Sequence, residues 1–119
     1  MISIILPNLN TDLKFLNSRI QSILDQTRRD WECIVIDGFS ENGSWEFLCE
    51  AGKHDARFRL YQKPKRGIYN AWNEGIKLAT GTYVYIATSD DTMKPDFLDK
   101  MVSVLINHPS WDFAHCCLE

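Results

Sequence analysis

Two adjacent carboxylates, Asp90 and Asp91, follow a short apolar run, Tyr83 to Ala87, and a polar pair, Thr88-Ser89. Paired aspartates at a strand end could hold a hard divalent cation. Mg²⁺ and Mn²⁺ take carboxylate and phosphate oxygens and keep several waters, so one or two carboxylates plus a diphosphate suffice. Such an ion would offset the charge of a departing diphosphate, which is Lewis-acid catalysis. The same two residues also suit a polar turn ahead of Pro95, which opens a helix. Asp37 ends a second apolar run, Cys33 to Ile36, and begins a turn-rich loop, Asp37-Gly38-Phe39-Ser40-Glu41-Asn42-Gly43. Lys63-Pro64-Lys65-Arg66-Gly67 is a basic loop that reads either as a phosphate clamp or as solvated charge. His54, His108 and His115 are scattered and their spacing assigns them no chemistry.

These residues need a scaffold, and the chain supplies alternating strand-like and helix-like segments. Ile2 to Leu6 is an apolar strand ended by Pro7, followed by a loop with Thr11 or Asp12 as helix N-cap. Leu13, Leu16, Ile20, Ile23 and Leu24 recur at helical spacing. Glu32 to Asp37 is a second strand, and Trp45, Leu48, Cys49 and Gly52 mark a short helix. Phe58 to Gln62 is a third strand. Ile68, Ala71, Trp72, Gly75, Ile76 and Ala79 form one helical face, closed by Gly81, with Trp72 read as core. Tyr83 to Ala87 is the fourth strand, and Leu98, Met101, Val102 and Leu105 face a helix stopped by His108-Pro109. Trp111 to His115 is expected to begin a fifth strand.

This order predicts an α/β fold: a Rossmann-like three-layer sandwich with a mostly parallel sheet. The expected strand order is 3-2-1-4, with Asp37 and Asp90 at the same edge of the sheet. Ligands in such sheets bind outside the carboxyl ends of the strands, at the point where the strand order switches direction. The candidate binding loops are therefore Pro7 to Asn10, Asp37 to Ser40, the basic loop, and Thr88 to Asp91.

Composition narrows the function. The 119 residues make one domain, 45% hydrophobic and 24% charged, which is the balance of a folded protein. A net charge of −3 argues against a nucleic-acid partner held by phosphate contacts. No apolar run approaches the ~18 residues of a membrane span, and the start of the chain does not read as a signal peptide. Cys33, Cys49, Cys116 and Cys117 form no Cys-x-x-Cys pair and lie near no His at zinc spacing, so reduced core thiols and a cytoplasmic location are expected. The first loop, Pro7-Asn8-Leu9-Asn10, has no glycine, which excludes a dinucleotide-binding turn. A phosphate-binding Gly-x-x-x-x-Gly-Lys loop and a Gly-x-Ser-x-Gly elbow are absent as well. A nucleotidyltransferase would want a first loop rich in glycine and lysine, which Pro7 to Thr11 does not supply.

Several segments together resemble the family 2 glycosyltransferases of the GT-A fold. Ile4 to Asn10 is similar to the opening I-I-P-T-Y-N of that family. Ser22-Ile23-Leu24-Asp25-Gln26-Thr27 is similar to S-I-L-x-Q-T, and Glu32 to Ser40 to E-x-I-V-x-D-[DG]-x-S. Gly67 to Tyr83 resembles G-x-x-x-A-x-N-x-G-I-x-x-A-x-G-x-Y, and Ala87 to Asp91 stands at the metal-binding strand end. Each motif alone is weak; five in register span nearly the whole chain. Thr88 replaces the first Asp of D-x-D, Gly38 the second Asp of D-D-G-S, Leu9 a Tyr and Trp72 an Arg.

The resemblance implies a metal-dependent inverting glycosyltransferase. Such an enzyme passes a sugar from a nucleotide diphosphate, here expected to be a UDP-sugar, to a saccharide or lipid-linked acceptor in bacterial cell-surface polysaccharide synthesis. Carried over by position, Pro7, Asn8, Leu9, Asp37, Arg66, Asn73 and Ser89 would bind the donor, and Asp90 and Asp91 would hold Mg²⁺ or Mn²⁺. The expected location is cytoplasmic, at the inner face of the membrane. The family's acceptor half and its general base, an Asp or Glu, would lie beyond Glu119. Residues 1-117 are therefore expected to be the nucleotide-sugar-binding part of a truncated GT-A domain, with Leu118-Glu119 as a vector-derived scar. Self-association near Trp111, Phe113 and Cys116 is expected from the missing half, and a non-catalytic nucleotide-diphosphate-binding module is the alternative.

Overall fold

Four apolar runs bounded by turn-formers become four strands, and the helical repeats between them become the layers on either side. A computed structural model describes residues 1–64 and 67–116. The elements are β1 (Ile2–Asn8), α1 (Leu13–Leu24), β2 (Trp31–Asp37), α2 (Ser44–His54), β3 (Phe58–Gln62), α3 (Ile68–Leu78), β4 (Tyr83–Ile86) and α4 (Phe97–Asn107). All pairings are parallel and the order is β3-β2-β1-β4, as expected for an α/β sandwich. Every residue of β1 and β2 is buried, which is why Ile4 to Leu6 and Cys33 to Ile36 read as unbroken apolar runs.

Alternation along the strands divides the core in two. Ile2, Ile4 and Leu6 of β1 pack with Cys33 and Val35 of β2 against Leu16, Ile20 and Ile23 of α1, Leu48 of α2, and Leu98 and Val102 of α4. Ile5, Ile34 and Ile36 face the other way, against Ala71, Trp72 and Leu78 of α3. Trp72 is thus a core residue, and among the described helices α3 covers the second face. It approaches closely because Gly75 has no side chain over Ile5.

Three local expectations are corrected. β1 runs through Pro7 to Asn8 instead of ending at Leu6. The ladder bond from Ala87 N–H to the Ile5 carbonyl shows which side of β1 faces β4. Position 7 faces the same side, where β4 has already ended, so the N–H that Pro7 lacks costs no ladder bond. Gly81 does not close α3, which ends at Leu78 with Ala79 extended. Its place is set by a close approach: its N–H donates to Ser3 Oγ at 2.8 Å beside the start of β1. Trp111 to His115 forms no strand; the His108 and Trp111 rings stack at 3.8 Å on either side of Pro109 in sequence.

Polar residues fasten the layers. Gln26, fully buried after α1, donates to the Lys94 carbonyl at 2.7 Å and accepts the Leu98 N–H at 3.0 Å, so it serves the open start of α4 from outside that helix. Together with the bond from Thr27 N–H to the Pro95 carbonyl, it ties down the segment that follows Asp91. Near the starts of β1 and β2, Glu32 accepts from Ser3 Oγ (2.7 Å), Thr80 N (2.7 Å), Thr80 Oγ1 (3.0 Å) and Arg59 Nη1 (3.0 Å). Burial pushes the Glu32 carboxyl up, but the bonds from Ser3, Thr80 and Arg59 outweigh it and hold its pKa below the ordinary 4.5. Its contribution to stability is therefore complete above that value and is lost as pH falls through the depressed folded-state value. Urea unfolding across acid pH should show stability falling below pH 4.5, and Glu32→Gln should flatten that limb while lowering stability at neutral pH. An acid limb of unchanged slope in the variant would show that other carboxylates carry it.

Cys33 is buried and burial pushes its thiol up to about 12, which makes it inert as a nucleophile at neutral pH. Cys49 is half-buried and Cys116 exposed, so only Cys33 is a core thiol; Cys117 lies outside the described residues. Trp111 and Phe113 are 51% and 76% exposed.

Candidate functional site

β2 lies on one side of β1 and β4 on the other, so the strand order reverses at β1 and a crevice opens beyond its carboxyl end. Two adjoining clefts occupy it. The first, ≈ 260 Å³, is lined by Pro7, Ile36 and Ala71 on its apolar side and by Lys63, Asn70 and Ser89 among its polar walls. The second, ≈ 350 Å³, is lined by Thr11, Asp12, Thr88, Ser89 and Asp90, with Phe15 at its side. Leu9, Ile68 and Ser89 belong to both, so the clefts share a wall.

The loops that form these walls are held by one buried carboxylate. Asp37, at the end of β2, stands beside Asn8 at the end of β1 and is fully buried. Its Oδ1 accepts from Asn8 Nδ2 at 2.8 Å and from Ser40 Oγ at 2.6 Å. Its Oδ2 accepts from Ser40 N at 3.0 Å and from Gln62 Nε2 at 3.1 Å. Four donors fill the four acceptor positions of a carboxylate. The Asn8 amide, with two hydrogens, is also within reach of Ser40 Oγ (3.2 Å) and Ser44 Oγ (3.0 Å). Asn10 N donates to Ser40 Oγ at 2.9 Å, and Glu41 N to Asn10 Oδ1 at 2.7 Å. The loops after β1 and β2 are thereby one hydrogen-bonded body. Asp12 starts α1 by accepting the Lys14 N–H at 2.9 Å, and Thr11 Oγ1 meets Ser89 Oγ at 2.6 Å, linking that loop to the one after β4.

The residues singled out by sequence fall into distinct places. Pro7, Asn8, Leu9 and Ser89 line the first cleft. Asp37 lies beneath it, as the organiser of the loops. Asp90 is exposed in the second cleft, whereas Asp91 lines neither and its Oδ1 accepts the Thr92 N–H at 2.8 Å. Asn73 is exposed on α3 and also lines neither cleft. It lies two residues, about 200°, round the helix from Ala71, which faces the sheet. Asn70 occupies the wall instead. Arg66 lies outside the described residues. Lys63, Pro64 and Gly67, from the basic loop expected to bind, line the first cleft; Ile68 and Asn70 are walls the sequence did not single out, and the available signal was a glycine opening a helix directly after that loop. α3 begins at Gly67 with no side chain capping its first N–H groups, and that helix start faces the cleft.

Around Asp90 the donors are all hard oxygens: a carboxylate, the carboxylate of Asp12 and the hydroxyls of Thr11, Thr88 and Ser89. That chemistry fits Mg²⁺ or Mn²⁺ in kind. Among the described residues no three His, Cys, Asp or Glu side chains cluster to hold an ion by themselves.

Residues 3–113 match the sequence family described as Glycosyl transferase family 2. The chain belongs to that family. TuaG of Bacillus subtilis (strain 168), named a candidate teichuronic acid biosynthesis glycosyltransferase, is 31% identical over 107 residues, which is 89% of this chain and 42% of TuaG. The family 2 chain also has close structural counterparts. Staphylococcus aureus TarS 1-349, solved with UDP-GlcNAc, superposes with a TM-score of 0.83 at 21% identity, over 91% of this chain and 32% of that one. The mannosyltransferase PcManGT of Pyrobaculum calidifontis, solved with GDP-Man and Mn²⁺, gives 0.80 at 24%, over 87% of this chain and 32% of that one. These likenesses establish the GT-A type of fold, and the chain spans less than half the length of each of the three.

Proposed function

We propose that this family 2 chain is the donor-binding part of an inverting glycosyltransferase that moves a sugar from a nucleotide diphosphate, UDP-linked in our reading, to a saccharide or lipid-linked acceptor. The observation that carries this reading is the pair of adjoining clefts at the β1/β4 switch point, one mainly apolar and one lined by oxygens with Asp90 exposed in it. A base and ribose suit the first, where Pro7, Ile36 and Ala71 remove apolar surface from water and Asn70 and Ser89 offer hydrogen bonds. A diphosphate suits the junction, where the uncapped start of α3 presents N–H groups and Lys63 brings a positive charge. TarS and PcManGT, solved with UDP-GlcNAc and with GDP-Man, lend support by likeness.

Asp90, with the neighbouring hydroxyls of Thr88 and Ser89, would hold Mg²⁺ or Mn²⁺ once diphosphate oxygens complete the donor set. The bound ion would supply charge stabilisation of the leaving diphosphate. The chain's own residues bind and orient: Asp37 fixes the loops, and Thr11 and Ser89 join the two clefts. In this reading the protein works at the inner face of a bacterial membrane in surface-polysaccharide synthesis. No helix among the described residues is long and apolar enough to cross that membrane.

Calorimetry with UDP, GDP and their sugars, with and without Mn²⁺, tests the reading. Binding of at least one nucleotide sugar, strengthened by Mn²⁺, is expected; no binding across the panel overturns it. In Asp90→Ala the Mn²⁺-dependent gain in affinity, expected to be about tenfold or ~1.4 kcal/mol, should vanish while metal-free binding persists. An undiminished gain would remove Asp90 as the ligand. Release of nucleotide diphosphate with simple glycoside acceptors separates a transferase from a binding module.

A further inference from the structure

We propose that Phe39 is a base-stacking residue, its ring forming the outer wall against which the nucleobase of the donor lies; this rests on the nucleotide-sugar reading above. Phe39 has φ 61, in the left-handed region. Asn10 is the only other non-glycine residue with positive φ among those described, and asparagine tolerates that region. An aromatic side chain does not, so its presence there is a strained outlier.

The fold does not require a phenylalanine at this point. The turn is imposed from both sides: Ser40 donates through N and Oγ to Asp37, and Asn10 N reaches Ser40 Oγ. A glycine at position 39 would make the same turn without strain, whereas the glycine actually present, Gly38, is not at positive φ. Apolar packing among the described residues does not account for it either. Phe39 is 52% exposed, belongs to neither apolar cluster and has no ring contact among the described residues.

Its position suits a ligand. Gly38, directly before it, lines the first cleft, and Ser40, directly after it, is bonded to the loop that carries Leu9. No aromatic ring lines that cleft among the described residues, so its apolar walls offer a base contact but no π-face. A nucleobase in the cleft would leave one face toward solvent, and an exposed ring on a hydrogen-bonded turn, one residue from the wall, is within reach to cover it. Base–aromatic stacking is sequence-tolerant, so Phe39 would strengthen binding of uridine and guanosine diphosphates alike.

Phe39→Asn removes the ring at a position asparagine tolerates, so the variant should fold with a thermal midpoint no lower than the parent. Its affinity for UDP should fall about tenfold, with affinity for inorganic diphosphate unchanged, since that probe has no base. Phe39→Trp keeps a π-face and should bind UDP within about threefold of the parent. Parent binding of UDP together with equal binding by Phe39→Asn overturns the stacking role and leaves the nucleotide-sugar reading intact. A parent chain that binds no nucleoside diphosphate overturns both.

Discussion

Gly81→Ala should lower the unfolding free energy by about 3 kcal/mol, the upper end of what an overpacked interior usually costs. A methyl group on Gly81 would sit 2.7 Å from the Met1 carbonyl oxygen, 2.7 Å from Ser3 Oγ and 2.8 Å from Ser3 N. Two of these three atoms are backbone at the start of β1, and neither can rotate away. The Met1 carbonyl accepts the Thr82 N–H at 2.9 Å, and Ile2 N donates to the Asp30 carbonyl at 3.1 Å. Ser3 Oγ is also committed, because it donates to Glu32. Relief would require parting β4 from β1 or breaking the Glu32 network. Gly75→Ala offers a comparison, since its methyl would overlap Cγ2 of Ile5. That atom is a side-chain end, though on a fully buried β-branched residue with little freedom. Gly43→Ala meets no atom within 4 Å and should cost only the strain of its φ of 89. Urea unfolding of the three variants should rank them Gly81, Gly75, Gly43. A Gly81→Ala protein within about 0.5 kcal/mol of the parent, the range of neutral surface changes, would show that β1 and β4 do not meet as closely as described.

The alternation of elements was legible because each central strand is buried on both faces. Burial on both faces leaves an unbroken apolar run such as Ile34-Val35-Ile36, which turn residues then delimit. Errors came where one residue type serves two physical purposes. Gly81 read as a helix terminator because glycine commonly is one, yet its φ is not positive and its role is close approach. Pro7 read as the end of a strand, and only the shorter partner β4 makes it tolerable inside one. At the site, sequence position located the loops but not the direction of each side chain. Asp37 and Asn8 alternate with Pro7 and Ile36, so the polar pair turns its side chains toward the α1/α2 layer while Pro7 and Ile36 line the cleft, which Asn8 also borders. Asn70 and Asn73 are equivalent by type, and the helix turn alone separates the wall from the surface.

That division of faces gives Asp37→Ala two separable consequences. The carboxylate is fully buried and has four protein donors, so its removal strands Ser40 N and Gln62 Nε2 and takes one acceptor from Asn8 Nδ2. A stranded donor costs about 1–3 kcal/mol when fully buried; Ser40 and Gln62 are half-buried, and water reaching their freed donors brings the expected loss to about 3 kcal/mol. Asp37→Asn keeps the shape but turns one acceptor edge into a donor that faces other donors, and it should cost about 2 kcal/mol. The second consequence is for the cleft. Gly38, Leu9 and the Phe39 turn are positioned through Ser40 and Asn8, so loosening Asp37 should spread the loop conformations and weaken UDP binding at temperatures where both variants remain folded. The test is urea unfolding paired with calorimetry on both variants and on Ser40→Ala, which removes one oxygen of the same network while leaving the carboxylate in place. If Asp37 acts by holding the loops, affinity for UDP should fall in step with stability across the three. Loss of UDP binding in Asp37→Asn with stability unchanged would instead mean that the carboxylate touches the nucleotide itself, and that the four protein donors give way when the ligand arrives.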